Sequence, residues 1–291
     1  MPVSIWLYSD HKPGHENQSI GLVEALKKYV TVNLFQCAPE PVKILTSKTQ
    51  QQLPQLIIGA GHKTHLSVLF SKIKYGGKSI ILMKPSLPIR WFDYCVIPEH
   101  DQVPSKANII PTKGVLNQIQ ASTQSDKNKA LILMGGISNH YVWDNALLNQ
   151  QISSIISQQQ HIHFTLTTSR RTPSDFLATL SCFLNLSIVP HEQTDAAWLP
   201  KMLSQSAQIW VSPDSVSMVY EALTAGAEVG IFNLQKKQNS RVLRGVNQLL
   251  KEQYITNYDT WLQNEKQLTH PPTQLTEADR VAKIIWQTCL N

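Results

Sequence analysis

The chain has 291 residues, more than one compact core usually holds, so two domains of ordinary size are expected. Apolar residues make up 42% and charged residues 16%, a globular composition with enough apolar material for two cores. A net charge of +6, from 26 Lys and Arg against 20 Asp and Glu, suits anionic partners such as nucleotides, phosphorylated lipids or nucleic acid, and equally an ordinary lysine-bearing surface.

Cys37, Cys95, Cys182 and Cys289 stand singly, without CxxC or zinc-ligand spacing. Neither a metal site nor a disulfide framework is indicated, and a reducing compartment fits. The opening apolar run is too short for a signal peptide, and no window approaches ~18 consecutive apolar residues. A cytoplasmic protein is expected, with peripheral contact at the inner face of a membrane left open.

Strand-length apolar runs recur: VSIWLY, VTVNLF, LIIGA, SIILM and DYCVIP in the first part, then ALILMGG, HFTLTT, LSIVP, QIWVSP and EVGIF. Between them lie SIGLVEALKKY, THLSVLFSKIKY and SVSMVYEALTAG, whose apolar spacing is helical. Strands alternating with helices predict parallel sheets built from βαβ units. The polar stretch at 119–128 interrupts this rhythm and reads as a linker. It separates a domain at 1–118 from a second at 129–275, and residues 276–291 read as a closing helix with Thr276 as its N-cap.

Open α/β sheets bind ligands beyond the carboxyl ends of their strands, so the loops there carry the functional signal. After the first strand comes SDHKPGHENQSIGL. Gly14 permits close backbone approach, and His15 and Gln18 are expected to point toward a ligand at the helix N-terminus. His15 suits a general base; the alternative is a turn glycine and a solvated histidine. IIGAGHKTHL begins like a dinucleotide fingerprint, but Thr64 stands where the third glycine belongs, so NAD binding is rejected. FDYCVIPEHDQV places His100 and Asp101 at a strand end, and IIPTKGVLNQ follows with Thr112, Gly114 and Asn117.

In the second half, LILMGGISNHY ends a strand at Gly135 and Gly136, followed by Ser138. Paired glycines there are expected to leave backbone N–H groups open to a phosphate. TLTTSRRTP puts Ser169, Arg170 and Arg171 at the next strand end, a diphosphate clamp if not a solvated arginine pair. In WVSPDSVSMVYEALTAG, Asp214 reads as an N-cap, with Ser215 and Ser217 in the first turn. Glu221, two turns on, is placed to accept ribose hydroxyls; otherwise it is an exposed residue on a capped amphipathic helix.

The order DHKPGHENQSIGL, IGAGHKTH, FDYCVIPEHD, PTKGVLN, MGGISNHY, TTSRRTP, SPDSVSMVYEALTAG resembles the mitochondrial fission (elongated-mitochondria) family, whose bacterial members are often labelled nucleoside-diphosphate-sugar epimerase-like. The resemblance implies a GT-B-like fold, two Rossmann-like domains facing across a cleft, and kinship with nucleotide-sugar glycosyltransferases. It implies ribose binding by Glu221, diphosphate binding by Gly136, Ser215 and Ser217, and an acceptor-side role for Gly14 and His15. The turn PDSVSMVYE departs from the glycine-rich form usual in GT-B enzymes.

Taken together, a GT-B-type glycosyltransferase is expected, moving a sugar from a nucleotide-sugar to an acceptor hydroxyl on a glycan, lipid or small molecule. His15, or else Asp101, acts as base, and Arg170 and Arg171 offset the leaving diphosphate. No DxD-like carboxylate pair is evident, so neither metal nor other cofactor is expected. The alternatives are a nucleotide-sugar epimerase and a non-catalytic binding scaffold. Nucleic-acid binding is set aside because the basic residues are scattered.

Overall fold

The computed structural model describes residues 2–40, 52–101, 103–180, 183–237 and 240–291; Cys182 lies outside them. The chain forms two compact units, Met1–Gln118 with Thr276–Asn291, and Ile119–Leu275.

The N-terminal unit is built on six parallel strands: β1 (Val3–Tyr8), β2 (Val32–Cys37), β3 (Leu56–Ala60), β4 (Lys78–Leu82), β5 (Tyr94–Pro98) and β6 (Ile109–Thr112). Their order is β2-β1-β3-β4-β5-β6. β1 and β3 are buried at every position, which is why they read as unbroken apolar runs instead of alternating ones. Helix α1 (Pro13–Leu26) starts with proline at its first turn, where the missing N–H costs nothing, and buries Leu22, Val23, Ala25 and Leu26. Helix α2 (His65–Tyr75) ends at Gly76, whose φ of 78° stops it. β6 reads IIPT; Pro111 breaks its apolar signature, and a proline is tolerated because this is an edge strand.

The C-terminal unit has β7 (Asp126–Leu133), α3 (Asn145–Gln158), β8 (His163–Thr167), β9 (Leu186–Val189), α4 (Trp198–Gln205), β10 (Ser206–Val211), α5 (Val216–Ala225), β11 (Glu228–Ile231), α6 (Arg241–Lys251), β12 (Ile255–Asn257) and α7 (Tyr258–Gln263). The order β12-β11-β10-β7-β8-β9 is parallel throughout. Counted from its own first strand this is the dinucleotide-binding order 3-2-1-4-5-6. β7 begins inside the segment expected to be a linker. Its first four residues are polar and largely exposed, and only Ala130–Leu133 carry the apolar signal.

The last helix, α8 (Glu277–Ile285), belongs to the N-terminal unit. Val281, Ala282 and Ile285 are fully buried in one core with Leu22 and Leu26 of α1. Its acidic first turn accepts a hydrogen bond from the Lys113 N–H at 2.9 Å through Glu277, and Asp279 pairs with Lys28 at 2.6 Å.

In each sheet the strand order reverses once, between β1 and β3 in one unit and between β7 and β10 in the other. Those reversals splay the loops apart and make the crevices where such sheets hold ligands.

Candidate functional site

At the first reversal, the loop leaving β1 carries Asp10, whose side chain is fully buried. Its Oδ1 lies 2.9 Å from His15 Nδ1, and the imidazole is 20% exposed. A carboxylate facing Nδ1 fixes the hydrogen there and leaves the Nε2 lone pair as the basic atom. Burial raises the Asp10 carboxyl, but the His15 hydrogen bond and charge, with the Lys12 N–H and ammonium, outweigh it and hold Asp10 below the usual carboxylate range. The loop after β3 closes against this pair. Gly61 has φ 85°, and a Cβ there would lie 2.5 Å from His15 Nδ1 and 3.0 Å from Asp10 Oδ2.

Of the other residues expected here, Gly14 opens α1 beside empty space. Gln18 does not face a ligand as expected: it is buried, donates to the Gly14 carbonyl at 3.1 Å and touches Met83 Sδ at 3.6 Å. Asp101 ends a turn after β5, buried, and its carbonyl accepts from the Lys84 ammonium at 3.2 Å. In the sheet β5 is three strands from β1, roughly 14 Å at the usual strand spacing. On the β2 side of the same loop lies a cavity of about 250 Å³ whose polar lining includes Ser9, His11, Glu16, Ser19 and Gln36. Ser9 donates to Glu16 there at 2.7 Å.

The second reversal corrects the expectation for the glycine pair. The Gly135 N–H donates to Ser212 Oγ at 2.7 Å, and the Gly136 N–H donates to Asp214 Oδ2 at 3.0 Å, so neither is open. A Cβ on Gly136 would strike the Arg171 backbone at 2.1 Å; the glycine is required by the neighbouring loop. Ser169 donates to the Gly135 carbonyl at 2.6 Å, and the Thr172 hydroxyl donates to the same oxygen. Ser138 is engaged in its own turn, accepting from the His140 N–H at 3.2 Å.

Arg171 reaches Asp214 Oδ2 at 2.7 Å and donates to the Ile137 carbonyl at 3.2 Å, so its guanidinium is occupied within the unit. Asp214 is not the N-cap of α5: Ser215 holds that position, and the Asp214 carboxylate is buried against the Gly135–Gly136 turn. The nearby Tyr141 phenol is pushed up to about 12, by burial first and then by the Asp214 charge. Arg170 is exposed and has no ion-pair partner among the described residues. Ser215 and Glu221 are half-buried and Ser217 is exposed, all on α5 or its cap. Sequence reasoning missed Asp10 and the bridging role of Asp214; the only signal for either was a carboxylate just after a strand.

The chain is 24% identical to the Uncharacterized protein RP120 of Rickettsia prowazekii, over 97% of this chain and 98% of that protein. Among solved structures, MurG of Acinetobacter baumannii aligns with a TM-score of 0.56 at 13% identity, over 99% of this chain and all of that one. A UDP-GlcNAc 2-epimerase from Neisseria meningitidis, bound to UDP-GlcNAc, aligns with a TM-score of 0.56 at 11% identity over the full length of both. These likenesses show the fold, two Rossmann-like units of GT-B type. A family described as Mitochondrial fission ELM1 matches residues 13–289, and the chain belongs to that family.

Proposed function

We propose that the chain is a GT-B-type glycosyltransferase that moves a sugar from a nucleotide-sugar to an acceptor hydroxyl. The observation that carries this reading is the buried Asp10 holding His15 Nδ1 at 2.9 Å at a strand-order reversal. His15 Nε2 takes the acceptor proton as the acceptor oxygen bonds to the sugar's anomeric carbon, and the nucleoside diphosphate leaves with the bonding electron pair.

On the donor side, Glu221 takes the ribose, and Ser215 and Ser217 with the α5 N-terminus take the diphosphate, with Arg170 offsetting its charge. No metal is invoked, and activity surviving chelation is part of the proposal. A second reading, a nucleotide-sugar epimerase, is favoured by the full-length likeness to the Neisseria epimerase fold.

The test is thermal unfolding against UDP, GDP, CMP, ADP and their sugar conjugates. Saturation with the right donor, at about 100 times Kd, stabilises by roughly 2.7 kcal/mol, a shift of about 5–10 °C for one unit. The shift should vanish in Glu221→Ala. Labelled donor without acceptor then separates the readings: a transferase leaves it intact or hydrolyses it slowly, and an epimerase converts it. No shift with any nucleotide sinks both readings and leaves a binding scaffold.

A further inference from the structure

We propose that Asp214 is a resident anion in a phosphate-type cradle, and that it closes the β7/β10 crevice of the C-terminal unit to a ligand's phosphate groups. Where an α/β unit holds phosphate, the usual donors are backbone N–H groups of a glycine turn after a strand, a hydroxyl and a guanidinium. All three kinds are present here and all converge on one carboxylate. The Gly136 N–H reaches Oδ2 at 3.0 Å, the Ser212 hydroxyl reaches Oδ1 at 2.7 Å, and Arg171 reaches Oδ2 at 2.7 Å.

The carboxylate side chain is fully buried while that of Arg171 is 44% exposed, so the cation reaches inward to a fixed anion. A Cβ on Gly135 would lie 2.3 Å from the same carboxylate, which places the glycine turn in contact with it. A phosphate entering this crevice would find its donors committed and a like charge in place. The inference stands on this donor set and does not require the transferase reading.

The experiment uses the full chain with Asp214→Ala and Asp214→Gly, each alone and combined with Arg171→Gln, melted in millimolar inorganic phosphate or in chloride of equal ionic strength. Phosphate stabilises proteins weakly and without saturation by exclusion from their surfaces, and the wild type should show only that. The Asp214 variants should melt below the wild type, and phosphate should raise their Tm saturably by about several degrees. Arg171→Gln should abolish that rise. A variant response no different from that of the wild type overturns the proposal. So does a saturable wild-type response that Arg171→Gln removes. If both variants are unfolded in chloride, phosphate should restore cooperative melting; failure to do so also overturns it.

Discussion

His15 can accept a proton at Nε2 only while Nδ1 keeps its own, and the 2.9 Å contact to Asp10 is what keeps it. In Asp10→Asn the amide can turn either its oxygen or its NH₂ to the ring, so the tautomer is no longer imposed. The imidazole ¹⁵N shifts of His15 should show a protonated Nδ1 and a bare Nε2 in the wild type, and a mixture in Asp10→Asn. In a sugar-transfer assay His15→Ala should lose about 10²–10⁴-fold in kcat, the usual size of a positioned base. Two glycines in the same region should behave oppositely. Gly61→Ala forces a φ of 85° on a Cβ that also meets His15, and should cost at least about 1–2 kcal/mol by denaturant midpoint. Gly14→Ala meets nothing within 4 Å and should stay within about 0.5–1 kcal/mol of the wild type.

Helices and strands differ in how plainly the sequence announces them. β1, β3 and the Ala130–Leu133 part of β7 are covered on both faces, so their apolar runs could be read directly. β6 was hidden by Pro111, and β12 is three residues long. The loops at strand ends were legible because position after a strand is a rule about topology. What each side chain does there was not, since Asp214 contacts Gly136 from 78 positions away and only the folded sheet brings them together. The same holds for α8, whose amphipathic pattern gives a helix but not the core it joins. Its Ile285 is fully buried among α1 residues of the N-terminal unit. Ile285→Ala should therefore destabilise that unit by about 2–5 kcal/mol. Hydrogen exchange should speed up in the amides of β1 to β6 and remain at wild-type rates in those of β7 to β12; acceleration in both sheets would contradict this assignment.

Among the described residues, three groups whose titration opposes folding in acid, His65, Asp93 and Asp10, lie in the N-terminal unit. His65 is 3% exposed, packs edge-on to Phe92, and is held neutral, its pKa lowered to about 4 by burial first and then by the His62 charge. The unfolded chain protonates this histidine near 6.5, so between pH 6.5 and 4 the unfolded state binds more protons and stability falls as pH falls. The full effect is on the order of 3 kcal/mol.

Asp93 is also held below the usual carboxylate range: burial raises it, but the Lys72 ammonium at 2.8 Å and the Ser79 N–H and hydroxyl outweigh that. Asp10 behaves alike, and both contributions are present above the ordinary carboxylate pKa and lost as pH drops through the folded values. The C-terminal unit carries the reverse case. Glu228 is raised by burial, with His270 and Lys127 only partly offsetting it, so its folded state gains from protonation as pH falls. Calorimetry from pH 7.5 to 4 should therefore show the transition of the N-terminal unit moving to lower temperature well ahead of that of the C-terminal unit. His65→Leu should melt lower at pH 7.5, having lost the 3.2 Å contact with Ser86, yet flatten the decline between pH 6.5 and 4. A decline of unchanged slope in that variant would mean that another group in the N-terminal unit carries the acid sensitivity.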